Sequence, residues 1–511
     1  MKHNLTPNHL SAVIRKHTGQ SVMDWVNRTS STCPKIKFVF IPLSLKFALM
    51  KRRDFLKSTA GIAIATASTG LLAPSEALAA AESLQPDPSG QKPEPPGGDG
   101  PLIISAPMLQ NFAETSAGVA FAVSDLANGF VVIGRQPDLS DGRKVMCGGF
   151  RVTDVNDRVM LVRLTGLLPA TRYYYRIGAD RISYKGGYKI KVLGTEEDPC
   201  IYSFTTAGKG ARAHFCVIND THARMDTFAR ATDKIAALSP SCVVWNGDAC
   251  NTEETVEDQM RIFLTPDIPH KDYAARIPYL FCPGNHDDRG WANRHLERVW
   301  MFRQPEERSS RDWDLGRNFA VRLGDIALIG LDTAEDKVDS NPKFAGLFNS
   351  AAYREAQTEW LRDALKRKDI ARAPFLVAFC HIPLADDNPR HNPGDVFPAD
   401  SDPAYSTDYA LWQRTCAGLW GPLLDKARCQ LLITAHQHCY RYLAPDGSRR
   451  WAEIIGGSPE LGYRGKGDKR VEDSSRFPTL IEGQTENGEL KILVHNLLNG
   501  EIQDTFNFKK R

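Results

Sequence analysis

Short apolar runs recur from Phe215 onward, separated by amphipathic stretches. Phe215 to Ile218, Cys242 to Trp245, Ile277 to Phe281, Phe375 to Phe379 and Leu431 to Thr434 are too short for buried helices and have the length of strands. An unbroken apolar run is buried on both faces, which requires helices to cover the sheet. Two stripes at helical spacing supply them: Met225, Phe228, Ile235 and Leu238, then Trp360, Leu361, Ala364 and Leu365. The pattern predicts an α/β part whose strands point their carboxyl ends into one crevice. The segments Asp288 to Phe319 and Leu384 to Trp420 lack a clear period and are rich in Arg, Asp, Pro and aromatics, so they are expected at the crevice rim.

Upstream the period changes. Between Ile103 and Thr206 the chain reads as short alternating strands, as in Val119, Phe121, Val123 and in Met160, Val162, Leu164, which favours an all-β sandwich. Leu167 to Tyr173, followed by Tyr175, resembles the tyrosine corner of fibronectin type III-like domains. No cluster of ligand-type residues falls here, so this part is read as a scaffold or crevice wall, with surface or glycan adhesion as the functional alternative. At the other end, Trp451 to Phe508 has alternating pieces such as Leu490 to Val494 that would complete a second sheet, and Gly456-Gly457 permits a bend or a close backbone approach.

With 511 residues the chain exceeds one typical domain, and 42% hydrophobic content suffices for a sizeable core. The net charge of +3 is unevenly spread: residues 1–79 hold 11 Lys/Arg against 3 Asp/Glu, which leaves the remainder at −5. A mildly acidic body argues against phosphate-backbone neutralisation, so no nucleic-acid-binding surface is expected. Met50 to Lys57, containing Arg52-Arg53, precedes an Ala-rich stretch from Thr59 to Ala73 and then Ala77-Leu78-Ala79, the order of a twin-arginine export signal. A periplasmic or extracellular location follows as an expectation, with Met50 favoured as the start. The apolar run Phe38 to Leu49 is too short to span a bilayer, and no membrane span is expected in the mature chain. The expected organisation is an upstream extension (1–49), the signal (50–79), a flexible Pro- and Gly-rich linker (80–101), the β-sandwich (102–207) and the α/β domain (208–511). The eleven cysteines show no zinc-type spacing. Cys216, Cys242, Cys282 and Cys380 lie in or beside apolar runs and read as core, while a Cys147–Cys200 disulfide stays open for an oxidising compartment.

Each of the five apolar runs ends in oxygen or imidazole donors: Asp220 and His222, Asp248, Asn285 and His286, His381, then His436 and His438. Carboxylate, amide oxygen and imidazole together are the donor set of first-row divalent metals. Asp220-x-His222, Gly247-Asp248, Gly284-Asn285-His286-Asp287, His381 and His436-x-His438, in that order, resemble the motif series of calcineurin-like metallophosphoesterases, over about Phe215 to Tyr440. With a β-sandwich in front, the layout is similar to that of purple-acid-phosphatase-type enzymes. The implied fold is a two-sheet metallophosphoesterase sandwich flanked by helices and preceded by the all-β, fibronectin type III-like domain.

The resemblance implies two cations of Fe, Zn or Mn, one held by Asp220, His222, Asp248 and His438 and the other by Asp248, Asn285, His381 and His436. Asp248 would bridge them at a separation of about 3.5–4 Å, where a shared water becomes hydroxide near neutral pH and attacks phosphorus. His286 is then the candidate acid for the leaving group, or a cation that stabilises phosphoryl charge, with Asp287 and Asn251 as further catalytic candidates. Asn251 stands where purple enzymes carry a tyrosinate, so no purple colour is expected, and its amide oxygen is expected to accept from the His286 imidazole. His222 stands where the purple branch usually has glycine, and Ala435 replaces the glycine before the His-x-His pair. His214, His270 and His495 are read as structural; His295 and His391, with Arg289, Arg294 and Arg390, are read as rim residues, solvated charge being favoured over phosphate contact.

The leading expectation is an exported, metal-dependent phosphoric ester hydrolase, acid-phosphatase-like, acting on small phosphomonoesters. A phosphodiesterase or nucleotide hydrolase using the same site is the alternative, with Trp291, Tyr405, Tyr409 and Trp412 as candidate base-stacking or packing residues. A non-catalytic surface or glycan-binding protein is the reading from a different class. The substrate and oligomeric state are not legible in the chain.

Overall fold

The computed structural model describes residues 100–148, 158–302, 314–385, 403–458 and 475–511. The expected extension and export signal, and most of the linker, lie outside the described residues. The described residues fall in one compact unit.

The stretch read as all-β is all strand: β1 (Met108–Gln110), β2 (Ser116–Ala122), β3 (Ala127–Gly134), β4 (Arg143–Met146), β5 (Val159–Thr165), β6 (Arg172–Tyr184), β7 (Ile190–Glu197) and β8 (Tyr202–Thr205). Tyr173 Oη accepts the Leu168 N–H at 2.9 Å. The strands do not keep to themselves, however. β3, β4, β6, β7 and β8 form one antiparallel sheet, whereas β1, β2 and β5 extend a sheet of the α/β part.

That part contributes β9 (His214–Ile218), α1 (Met225–Leu238), β10 (Cys242–Trp245), α2 (Val256–Phe263), β11 (Tyr279–Phe281), β12 (Phe319–Leu323), β13 (Ile326–Leu331), α3 (Ser350–Ala364), α4 (Lys368–Ala371), β14 (Phe375–Cys380), α5 (Pro403–Lys426), β15 (Leu431–Thr434), β16 (Arg441–Leu443), β17 (Ala452–Ile455), β18 (Thr479–Glu486), β19 (Glu489–Asn496) and β20 (Ile502–Phe508). A nine-stranded sheet runs β20-β19-β18-β9-β10-β11-β1-β2-β5, and a six-stranded sheet runs β12-β13-β14-β15-β17-β16. The parallel pair β1–β11, with Gln110 beside Tyr279, stitches the upstream strands to the core. The C-terminal strands, expected to complete a second sheet, divide: β16 and β17 join the six-stranded sheet, while β18 pairs with β9 in the other.

Alternation within each run explains why no polar residue interrupts it. Phe215 and Val217 of β9 face the second sheet, where Phe215 meets Phe379 edge to face at 5.9 Å, while Cys216 and Ile218 face the α1 side. Phe228 of α1 stacks on Trp245 at 4.7 Å. On the far side, Leu361 of α3 and Trp412, Cys416, Trp420 and Leu424 of α5 cover Leu376 and Leu432. Helix α2 starts at a capping box in which Thr255 and Asp258 each satisfy the other's backbone N–H.

Helix α5 corrects one expectation, since its residues up to Trp420 were assigned to an irregular rim. Tyr409, Trp412, Cys416, Trp420 and Leu424 do keep helical spacing, but Gly418, Gly421 and an internal Pro422 mask the stripe. Cys147, whose thiol donates to the Leu161 carbonyl, is not joined to Cys200, and no disulfide occurs among the described residues, so the bridge left open in the sequence is not present there.

Candidate metal centre

Five strand ends converge on one buried cluster. At three of them the backbone reverses through the left-handed region: Asp220 (φ 45°) and His222 (φ 48°) after β9, Asp248 (φ 49°) after β10, His436 (φ 66°) and His438 (φ 55°) after β15. Each such residue costs about 1–3 kcal/mol and persists only where its surroundings over-determine it. Here the Asp220 and His222 N–H groups donate to the carbonyls of Gly247 and Asp248, which locks the first two turns together.

Asp220, His222, Asp248 and His438 each bring one donor atom within 4.8 Å of the others, and Asp248, His381 and His436 do the same. Asn285, buried, places Oδ1 2.9 Å from His436 Nδ1 and so adds an amide oxygen to the second group. All seven residues singled out as ligands therefore meet, and Asp248 belongs to both groups. His222 Nε2 and His438 Nε2 lie 3.0 Å apart, and His438 Nε2 lies 3.3 Å from Asp220 Oδ1. His381 Nδ1 donates to the Asn246 carbonyl at 2.9 Å, which turns Nε2 toward Asp248 Oδ2 at 3.1 Å.

Metal chemistry fits this set. Asp220 Oδ1 and His381 Nε2 are fully buried and, among the described residues, make no well-formed hydrogen bond; their nearest polar neighbours are His438 Nε2 at 3.3 Å and Asp248 Oδ2 at 3.1 Å, themselves members of the cluster. Burial works against charge here, yet His381 and His438 hold the Asp220 carboxyl down at about 2. Burial equally opposes a proton on His381, but the Asp248 and Asp220 carboxylates outweigh it and raise its pKa to about 10. Two glycines make the packing possible. A Cβ on Gly247 (φ 82°) would lie 2.2 Å from His381 Nδ1, and one on Gly284 would lie 2.5 Å from Asp248 Oδ1.

The three residues named as catalytic candidates separate. His286 stands at the cluster, its ring 4.8 Å from that of His222 and its backbone N–H donating to Asp248 Oδ1 at 2.9 Å. Burial lowers its pKa to about 4, with Arg289 adding to the effect and Asp248 opposing it. The permanent cation at this corner is Arg289, whose guanidinium donates to His286 Nε2 at 2.9 Å. Asn251 does not turn its amide to His286 as expected: its Oδ1 is 2.9 Å from His222 Nδ1, and only its backbone carbonyl faces His286, at 3.3 Å. Asp287 is also reassigned. Its oxygens accept the N–H groups of Asp248, Cys250 and Gly284 at 2.8–2.9 Å, so it clamps two turns together.

At the rim, His295 is half exposed beside Glu297 and Arg294 lies over Phe348. His391 and Arg390 lie outside the described residues, as does the Tyr405 side chain. Tyr409 is buried and stacks on His436 at 5.5 Å, and Trp412 is core, so neither is available to a substrate base; Trp291 is 72% exposed. His214 and His495 flank the Glu482 carboxylate within the nine-stranded sheet, in keeping with a structural reading.

Several supporting residues escaped the sequence reading. Asn219 Nδ2 donates to Asp220 Oδ2 at 2.7 Å and to the Gly457 carbonyl, and Gly456 has no room for a Cβ against Asn219. Beyond β13, a buried ion cluster joins Arg289 and Lys337 to Glu335 and Asp336. Ile326 to Leu331 is a sixth apolar run ending in acidic residues, and the same rule that found the other five would have found it.

Residues 213–440 match the family model for calcineurin-like phosphoesterases. Over that stretch the chain is similar to calcineurin-like phosphoesterases. Acid phosphatase type 7 of Homo sapiens is 24% identical to the chain over 310 residues, covering 59% of this chain and 60% of that protein; the chain thus spans about three fifths of this relative's length. Among solved structures, purple acid phosphatase PPD1 from yellow lupin (Lupinus luteus) seeds shares the fold with a TM-score of 0.52 at 15% identity, covering 79% of this chain and 74% of that one. PhoD does so with a TM-score of 0.53 at 11% identity, covering 81% and 94%. Both likenesses extend beyond residues 213–440.

Proposed function

We propose that the chain is an exported phosphomonoesterase with a dinuclear metal centre. The observation that carries this reading is the convergence of seven donor side chains in two groups sharing Asp248. Asp220, His222, Asp248 and His438 would hold one cation, and Asp248, Asn285, His381 and His436 the other. A bound pair of divalent cations supplies Lewis acidity and a water nucleophile active near neutral pH.

The chain's own residues do the rest. Asp287 and the Gly247 and Gly284 turns keep Asp248 between the two donor groups. Asn251 sets the His222 ring so that Nε2 faces inward. Arg289 places a fixed positive charge beside His286, where a dianionic phosphate ester gains most from it. Because Nε2 accepts from Arg289 and burial lowers the ring's pKa to about 4, His286 would deliver a proton to the departing oxygen from its imidazolium form, taken up from solvent as the pH falls. The similarity to acid phosphatase type 7 of Homo sapiens supports a phosphate monoester substrate. Export rests on the Arg52-Arg53 signal pattern alone.

The test is reconstitution with Zn²⁺, Mn²⁺ or Fe, followed by elemental analysis and hydrolysis of p-nitrophenyl phosphate against bis(p-nitrophenyl) phosphate. Two metal equivalents and a preference for the monoester are expected; a preference for the diester overturns the substrate assignment. Replacing Arg52-Arg53 by Lys-Lys should retain the protein in the cytoplasm of a producing bacterium.

A further inference from the structure

We propose that Asp336 is a positioning residue that accepts the Nε2–H of His436 and thereby commits Nδ1 of that ring to a cation. The inference rests on the dinuclear reading above and concerns a carboxylate outside the seven-residue donor set.

Asp336 is 0% exposed. Its Oδ1 is occupied, by Lys337 Nζ at 2.7 Å and by Arg289 at 3.1 Å. Its Oδ2 is buried without a hydrogen-bond partner and stands 3.7 Å from His436 Nε2. On the opposite edge of the ring, Nδ1 is 2.9 Å from Asn285 Oδ1. Two acceptor atoms at that distance repel unless a proton or a cation lies between them. If both are donors to a cation, the ring proton sits on Nε2, facing Asp336 Oδ2, which has no hydrogen-bond partner among the described residues.

The ring is poised for this contact. Tyr409 stacks on it with planes 6° apart, and the His436 backbone N–H donates to Asp220 Oδ2 at 3.1 Å. An approach of about 0.7 Å closes the gap to hydrogen-bond length. A buried cluster of two carboxylates and two cations is a weak source of stability, because desolvation offsets the attraction. Its second use is to hold an ionised oxygen beneath a ligand, the arrangement that fixes tautomer and ring orientation in metal-bound histidines.

Asp336→Asn is the direct test. An amide cannot face both the Lys337–Arg289 pair and an Nε2–H, because one of its two ends donates. Zn²⁺ titration of metal-free protein is expected to show two bound ions in the wild type and, in the variant, one site of unchanged affinity and one weakened about 10- to 100-fold. Two wild-type sites with an unaltered variant overturn this inference alone, whereas a wild type that binds no pair overturns the dinuclear reading with it. Should the variant fail to fold, ¹⁵N-histidine NMR of Zn²⁺-loaded wild type decides. A His436 signal, assigned by its loss in His436→Gln, is expected to report protonated Nε2; protonated Nδ1 overturns the proposal.

Discussion

The imidazole of His381 stands between two carboxylates, with Nε2 3.1 Å from Asp248 Oδ2 and 3.7 Å from Asp220 Oδ1. In the metal-free chain a proton on that nitrogen relieves their mutual repulsion, and burial opposes the charge less than the two anions favour it. A cation has to displace this proton.

Metal binding at pH 7 should therefore release a proton from His381, and affinity should rise with pH up to about 10. Calorimetric titration in buffers of different ionisation enthalpy measures the release directly, and heats independent of buffer would contradict it. The sign for the metal-free fold is the reverse. The raised pKa stabilises fully below about 6.5, and that contribution is lost as the pH climbs through about 10.

Asp248→Asn should disturb both donor groups at once. Metal content is expected to fall below one equivalent, and kcat to fall about 100- to 1,000-fold or more. Retention of two tightly bound ions would show that Asp248 is not the shared ligand.

His286→Ala should leave metal content intact and separate substrates by leaving group. Since burial holds the His286 pKa at about 4, its protonated form grows as the pH falls toward that value. Wild-type kcat for an alkyl phosphate should accordingly rise with acidity, and the variant should lose that rise together with about 100-fold or more in rate. p-Nitrophenyl phosphate, whose leaving group needs no proton, should be nearly spared in the pH–rate profile.

Glu482 offers a prediction about stability away from the centre. Burial pushes its carboxyl up, but hydrogen bonds from His214 and His495 at 2.8 Å bring it down to about 2. A depressed carboxyl stabilises above its unfolded value near 4.5 and loses that contribution as the pH drops through about 2. Glu482→Gln should lower stability at pH 6 by about 1–3 kcal/mol and flatten its pH dependence below 4.5, as followed by thermal melts.

The donors were legible because each follows an apolar run whose two faces are both covered, so Cys242 to Trp245 and Leu431 to Thr434 announce their own ends. Roles set by side-chain direction were not. Nothing in Gly284-Asn285-His286-Asp287 says that His286 turns inward while Asp287 turns back to hold the Asp248 and Gly284 N–H groups. Asn251 likewise reaches His222 rather than His286, a choice made by loop geometry after β10. Strand partnership was equally hidden. The alternation of Val119 and Phe121 gives a face, but not that β2 belongs to the same sheet as β9.

The pairing of β9 with β18 has a consequence for biosynthesis. Val217, three residues before Asp220, lies against Ile481, a position made 264 residues later. During synthesis the strand that carries the first donor thus waits, unflanked on one side, for nearly the entire domain to leave the ribosome. The sheet edge beside the first donor is thus completed only after Ile481 has been made.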